Sequence, residues 1–168
     1  MDPGEEGLVV VSKPTSKARA SLIDRLVDLR PRSQWEAQPL RTLSREELKE
    51  SVRRDLEWLL NTRTSFPGYL IDKKDLTVID YGIPDFGFYS PANPDHRELL
   101  TKRITRSISA FEPRLQKVRV TADSEMPDEK TLRITIDAVL GVESFREPVS
   151  FQTVLQSQAG TLEVHESP

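Results

Sequence analysis

LTKRITRSISAFEPRLQKVRVTA runs from Leu100 to Ala122, and the spacing of its apolar side chains changes partway along. Leu100, Ile104, Ile108 and Phe111 recur at helical spacing. Just upstream, Asn93-Pro94-Asp95 supplies an N-cap, a proline suited to the first turn and an early acid. Pro113 lacks a backbone donor and drives Glu112 out of the helical region, so the helix stops there. Beyond it the period becomes two, with Val118, Val120 and Ala122 alternating with Lys117, Arg119 and Thr121. A helix thus turns sharply into a strand at a corner that carries a carboxylate, Glu112, and a guanidinium, Arg114. Three uses are open to Arg114: capping the helix carbonyls, pairing internally, or gripping a partner's carboxylate with both arms of its fork. As helix punctuation alone, the corner needs no functional account.

Working outward, two more runs alternate downstream. Leu132, Ile134, Ile136, Ala138 and Leu140 form one, and Val149, Phe151, Thr153 and Leu155 the other, with Leu162 and Val164 as a short fourth strand. The connections at 123–130, 141–147 and 156–160 are too short for crossover helices, so the strands are expected to be antiparallel. Upstream, Ser44 and Glu47 spell a capping box, and Leu48, Val52, Leu56, Leu59 and Leu60 give the following helix an apolar face as far as Arg63. A shorter helix is expected over Arg19–Arg30, with Leu22, Leu26 and Leu29 as its stripe and Pro31 as its stop. Residues 64–94 are crowded with glycine, proline and aromatic side chains; they read as an ordered, packed loop, with a short strand at Thr77–Ile79. The fold class is α+β: about three helices packed on one face of a small antiparallel sheet of three to four strands. Residues 1–18 read as a mobile N-terminal tail, 19–156 as the folded domain, and 157–168 as a short last strand and C-terminal tail. In the first of these, Leu8–Val11 is an apolar patch able to join a sheet edge.

The chain has 168 residues, 24 basic and 27 acidic, with a net charge of −3, a 36% hydrophobic content and no cysteine. Without cysteine there is no disulfide scaffold, thiolate nucleophile or cysteine zinc site. The longest aliphatic run, Leu8–Val11, is far too short to span a bilayer, so a soluble intracellular protein is expected. The charge is unevenly spread: residues 95–115 sum to +2 and residues 116–168 to −4. That balance argues against general affinity for nucleic acid.

Catalytic signatures are missing. No nucleophile elbow, zincin, Walker or dinucleotide motif occurs, and His96 and His165 have no second metal ligand at a usable spacing. Asp55 and Glu57 lie two apart on a helix and point to different sides, while Glu112 has no partner acid that spacing can identify. Lys102, Arg103 and Arg106 on the third helix read as a solvated basic face without the aromatic interleaving of single-strand binders. No catalytic residue, metal or cofactor is expected.

Three segments taken together point further. SVRRDLEWLLNTR (Ser51–Arg63), DYGIPDF (Asp80–Phe86) and FEPRL (Phe111–Leu115), in that order and followed by a valine-alternating strand, resemble the TssE family of type VI secretion baseplates. That family is related to the contractile-phage baseplate-wedge proteins and is sometimes called lysozyme-like. The resemblance covers roughly residues 20 to 155. It implies a non-enzymatic, cytoplasmic baseplate component at the inner face of the cytoplasmic membrane, with the wedge proteins TssF and TssG, the sheath subunits TssB/TssC and components such as TssK as partners. It implies that Glu112, Pro113 and Arg114 contact the TssF/TssG core bundle, so that Glu112→Ala with Arg114→Ala leaves melting nearly unchanged while co-purification drops. Tyr81, Gly82, Pro84 and Asp85 match the family's ordered loop, whereas Phe86-Gly87-Phe88-Tyr89 departs from its more polar continuation. It further implies a template for sheath assembly by strand addition, for which Val149, Phe151, Thr153 and Leu155, within the last strands at 148–165, are the expected docking strand. The alternative is a peptidoglycan-cleaving muramidase, which needs a carboxyl acid in a cleft and delivery to the cell wall.

Overall fold

In the computed structural model, which describes residues 18–26, 42–64, 76–85, 90, 92–123, 131–142, 145–156 and 162–167, ten elements follow one another. They are β1 (Ala18–Arg19), α1 (Leu22–Leu26), β2 (Thr42–Leu43), α2 (Arg45–Asn61), a 3-10 turn (Val78–Asp80), α3 (Pro94–Phe111), β3 (Leu115–Asp123), β4 (Thr131–Val142), β5 (Phe145–Gln156) and β6 (Val164–Glu166). The last four strands form an antiparallel sheet in sequence order, β3-β4-β5-β6. The fold is α+β, as the change of period indicates.

Alternation decides what the sheet buries. Leu132, Ile134, Ile136, Ala138 and Leu140 on β4 join Val149, Phe151, Thr153 and Leu155 on β5 in the interior. Against them lie Leu48, Val52, Leu56, Leu59 and Leu60 of α2 and Leu100, Ile104 and Ile108 of α3. Both long helices start as their sequences dictate. Ser44 accepts from the Glu47 amide while Glu47 accepts from the Ser44 amide, and Asn93 accepts from the Asp95 amide ahead of Pro94.

Four local features differ from the sequence expectations. Ala18, assigned to the tail, pairs with Leu43 in a second, two-stranded sheet, and both side chains are buried. The first helix is described over Leu22–Leu26, and the rest of its expected span, with Leu29, lies outside the described residues. Its Leu22, Ile23 and Leu26 are exposed, while Ala18 and Ala20 are buried in the core. Thr77–Ile79 is no strand: Asp80 accepts from the Thr77 amide and hydroxyl and winds Val78–Asp80 into a 3-10 turn with Val78 and Ile79 in solvent. The last strand is shifted to Val164–Glu166, because Leu162 is held by α2 instead of β5. The Leu8–Val11 patch, Trp35, Phe66, Tyr69 and Phe86–Tyr89 lie outside the described residues. Among the described residues, no helix is long and apolar enough to cross a membrane.

Candidate functional site

Two features have more polar organisation than packing alone requires: the α3–β3 corner and the two edges of the sheet.

At the corner, the Glu112 amide donates to the Ile108 carbonyl at 2.8 Å, ending α3, and the Leu115 amide donates to the Glu112 carbonyl at 3.1 Å, starting the strand. Glu112 is only 4% exposed. Its Oε1 accepts from Arg114 Nε at 2.6 Å, and Arg114 Nη2 bonds its Oε2 as well, giving a two-pronged pair. The rest of the Arg114 fork reaches across to α2. Nη1 donates to Ser51 Oγ at 3.0 Å, and Nη2 donates to Asp55 Oδ2 at 2.5 Å. Ser51 then passes a hydrogen bond to Asp24 Oδ2 at 2.8 Å, and Arg54 closes the chain by donating to Asp24 at 2.7 Å and Asp55 at 3.1 Å. Arg54 also lies over the Trp58 ring, 4.9 Å from its centroid.

One guanidinium therefore joins α3, α2 and, through Ser51, the α1 segment. Of the three uses open to Arg114, internal pairing is the one realised. Burial works against the Arg114 cation, but Glu112, and then Asp55, outweigh it and raise its pKa above the ordinary arginine value. Burial likewise opposes the Asp24 carboxylate, yet hydrogen bonds from Ser21, Arg54 and Ser51 bring it down to about 2. Tyr81 packs edge-on against Phe111 with ring centroids 5.2 Å apart, and burial followed by the charges of Asp55 and Glu112 pushes its phenol up. Sequence reasoning missed Asp24, Ser51, Asp55 and Arg54 as members of this network. The signal available was an acid and a serine on the flank of α2's apolar face, which helical spacing alone does not distinguish from solvated positions.

The loop residues mostly serve folding. Gly82 has φ +109°, and a Cβ there would meet the Thr62 carbonyl oxygen at 2.4 Å. The close approach lets the Ile83 amide donate to the Thr62 carbonyl and the Thr64 amide to the Ile83 carbonyl, while Ser107 Oγ holds the Gly82 carbonyl at 2.6 Å. Pro84 is half-buried and Asp85 exposed at the rim.

The sheet's two edges are treated differently. Ser167 donates to the Ser150 carbonyl at 2.9 Å, so the even positions of β5 face β6, and the odd positions, Val149, Phe151, Thr153 and Leu155, face β4. These four expected docking residues are buried in side chain and already paired in backbone. The physical reason is that β5 is an interior strand, whose alternation marks the core and not an edge. Pro148 falls on an even, outward-facing position, where its missing N–H removes no bond to β4. Outside β6, α2 closes the edge. Asn61 Nδ2 donates to the Leu162 carbonyl at 2.8 Å and its Oδ1 accepts from the Leu162 amide at 2.7 Å, imitating a strand partner. Arg53 donates to the Val164 carbonyl at 2.9 Å, and Lys49 bridges Glu147 and Glu166 at 3.0 and 3.2 Å.

The opposite edge, β3, has no strand beside it among the described residues. The Gly141 amide donates to the Arg114 carbonyl, which sets the odd positions of β4 toward β3. Past a bulge between Gln116 and Arg119, where Lys117 takes φ 53°, those positions meet Arg119, Thr121 and Asp123. The N–H and C=O groups of Val120 and Ala122 consequently point outward.

The family model for baseplate wedge protein gp25 matches residues 46–144, more than half of the chain, covering all but the first residue of α2, the corner, β3 and β4. No curated protein sequence matches. Among solved structures, a chain of the baseplate complex from the type VI secretion system is 18% identical with a TM-score of 0.47, over 66% of this chain and 96% of that one. A Geobacter sulfurreducens protein described as a tail lysozyme is 19% identical with a TM-score of 0.46, over 67% of this chain and 95% of that one. Likenesses this distant say nothing of what the chain binds.

Proposed function

Because the chain belongs to the baseplate wedge protein gp25 family, a structural baseplate family, we propose that it joins the wedge of a type VI secretion baseplate and starts the contractile sheath by accepting a strand along the outer edge of β3. A structural role in a contractile baseplate follows from the family; the partners and the strand addition are the proposal. The observation that carries it is the asymmetry of the sheet: α2 side chains occupy backbone groups on the β6 side, while those of Val120 and Ala122 on the β3 side have no strand partner among the described residues. An unpaired edge is a template for another chain's strand, and a sheath built by strand exchange among TssB/TssC subunits needs such a template for its first ring. The docking strand of this reading is therefore β3, in place of β5.

The corner acts as a brace with one exposed tip. Glu112 and Arg114 bond inward, and Pro113 is left on the surface beside the less buried flanks of Arg114 and Asp55. Docking to TssF and TssG is assigned to this tip, whose shape the ion network holds. Contacts from the neighbouring loop fall to Pro84 and Asp85, and TssK and the cytoplasmic face of the membrane enter through the assembled wedge. A muramidase would need a carboxyl group able to reach a glycosidic oxygen, whereas Glu112 is buried with both oxygens engaged by Arg114.

The test is Ala122→Pro. The missing N–H lies on the outward side, so the β4 ladder stays intact while the edge loses a donor. Wedge proteins should still co-purify and sheath should fail to assemble in cells. Normal sheath assembly in this variant refutes β3 as the template.

A further inference from the structure

Val120 and Ala122 present the only regular stretch of the β3 edge, because the bulge at Lys117 interrupts the register toward Leu115. What a strand must carry to lie there can be read from the strand already on the other side. β4 faces β3 with Arg133 opposite Asp123, Ile134 opposite Ala122, Thr135 opposite Thr121, Ile136 opposite Val120 and Asp137 opposite Arg119. In strand order that is basic, apolar, β-branched, apolar, acidic. The register sets residues of matching kind across from each other: opposite charges at two positions, threonine with threonine, and apolar side chains sharing the core side.

The same five positions of β3 are presented to its outer side. Arg119, Thr121 and Asp123 are exposed on the solvent face, where their side chains can meet those of an added strand. Val120 is buried and Ala122 sits partly buried at the rim of the core, where an apolar side chain alongside would be covered. Every pair in this sheet is antiparallel, and antiparallel addition also gives the better-aligned ladder. Resting on the strand-addition reading above, we propose that the incoming strand runs antiparallel to β3 and repeats the order basic–apolar–β-branched–apolar–acidic, with its basic residue across from Asp123 and its acidic residue across from Arg119. Like charges directly opposite would be selected against, so this edge discriminates among strands and does not pair with any exposed one.

The experiment uses the full chain and two fluorescein-labelled nonapeptides. One copies β4 residues 131–139, Thr-Leu-Arg-Ile-Thr-Ile-Asp-Ala-Val; the other exchanges its Arg and Asp. Fluorescence anisotropy should show the first binding roughly tenfold more tightly, the size expected when two cross-strand charge pairs change sign. The variant Arg119→Asp with Asp123→Arg, both positions solvent-exposed, should invert the preference. Ala122→Pro should abolish binding, which separates the outer edge from displacement of β4 itself. If both peptides bind the wild-type chain equally and Ala122→Pro releases both, the charge order is overturned and the open edge stands. If neither peptide binds, or binding survives Ala122→Pro, the strand-addition reading falls and this inference with it.

Discussion

Replacing Arg114 by alanine removes a group that ties the corner to α2, and the cost can be worked from its partners. Glu112 has 5% of its side chain exposed, Asp55 21% and Arg114 itself 19%. Without the guanidinium, Asp55 can recover part of its hydration, but Glu112 cannot, and Ser51 loses a donor on one side. Breaking a buried ion pair by deleting one member typically costs 3–5 kcal/mol, so about 3 kcal/mol is expected here, where one acid is sealed and one is not. In a protein of this size that lowers the melting temperature by roughly 10 °C. Chemical denaturation followed by circular dichroism measures the loss, and the Glu112→Gln background dissects it. With Glu112 already neutral, the Arg114→Ala cost should shrink by about half, the mark of direct coupling. Arg114→Lys keeps the charge without the fork and should fall between the two. If Arg114→Ala changes stability by less than about 0.5 kcal/mol while wedge proteins cease to co-purify, the brace is refuted and the pair is a surface docking group, as the sequence resemblance implies.

Gly82→Ala places a methyl group 2.4 Å from the Thr62 carbonyl at φ +109°, and should cost about 3 kcal/mol or more by the same denaturation assay. Asn61→Ala strips the Leu162 amide and carbonyl of their partner; a loss of about 2 kcal/mol is expected, with faster exchange of the Leu162 amide, and self-association in sedimentation if the second edge opens. Asp24 has its folded pKa lowered to about 2, so its contribution is fully present above pH 4 and is lost as the pH falls toward 2. That contribution is about 2 kcal/mol, and the acid limb of stability against pH should flatten by this amount in Asp24→Asn.

The helices and strands were legible wherever one period ran unbroken. The capping box at Ser44 and Glu47, the N-cap at Asn93 and the switch of spacing at Pro113 each correspond to an element boundary within a residue or two. Alternation on β5 was equally clear, but it reports burial, and a strand's inward face looks the same whether the strand lies inside a sheet or along its edge. Only the pairing order reveals that β3 has no outer neighbour among the described residues and that Val149 and Phe151 spend their backbone groups on β4. The ion network was invisible for a related reason. Asp24 and Arg114 lie far in the chain from Ser51 and Asp55, which share one flank of α2, and each taken alone reads as an ordinary polar surface residue. Leu22 and Leu26 mislead in the opposite direction: a helical stripe is present, but the segment is held by Ala18, Ala20 and Asp24, leaving the leucines outside.

Amide hydrogen exchange at Val120 and Ala122 reports directly on the open edge, before and after addition of sheath subunits TssB/TssC. In the isolated chain the two amides should exchange rapidly, while those of Thr121 and Asp123, bonded to β4, stay protected. Sheath subunits should then protect Val120 and Ala122 selectively. Protection that appears on β6 instead, or no change at these two amides while sheath is bound, would contradict the account.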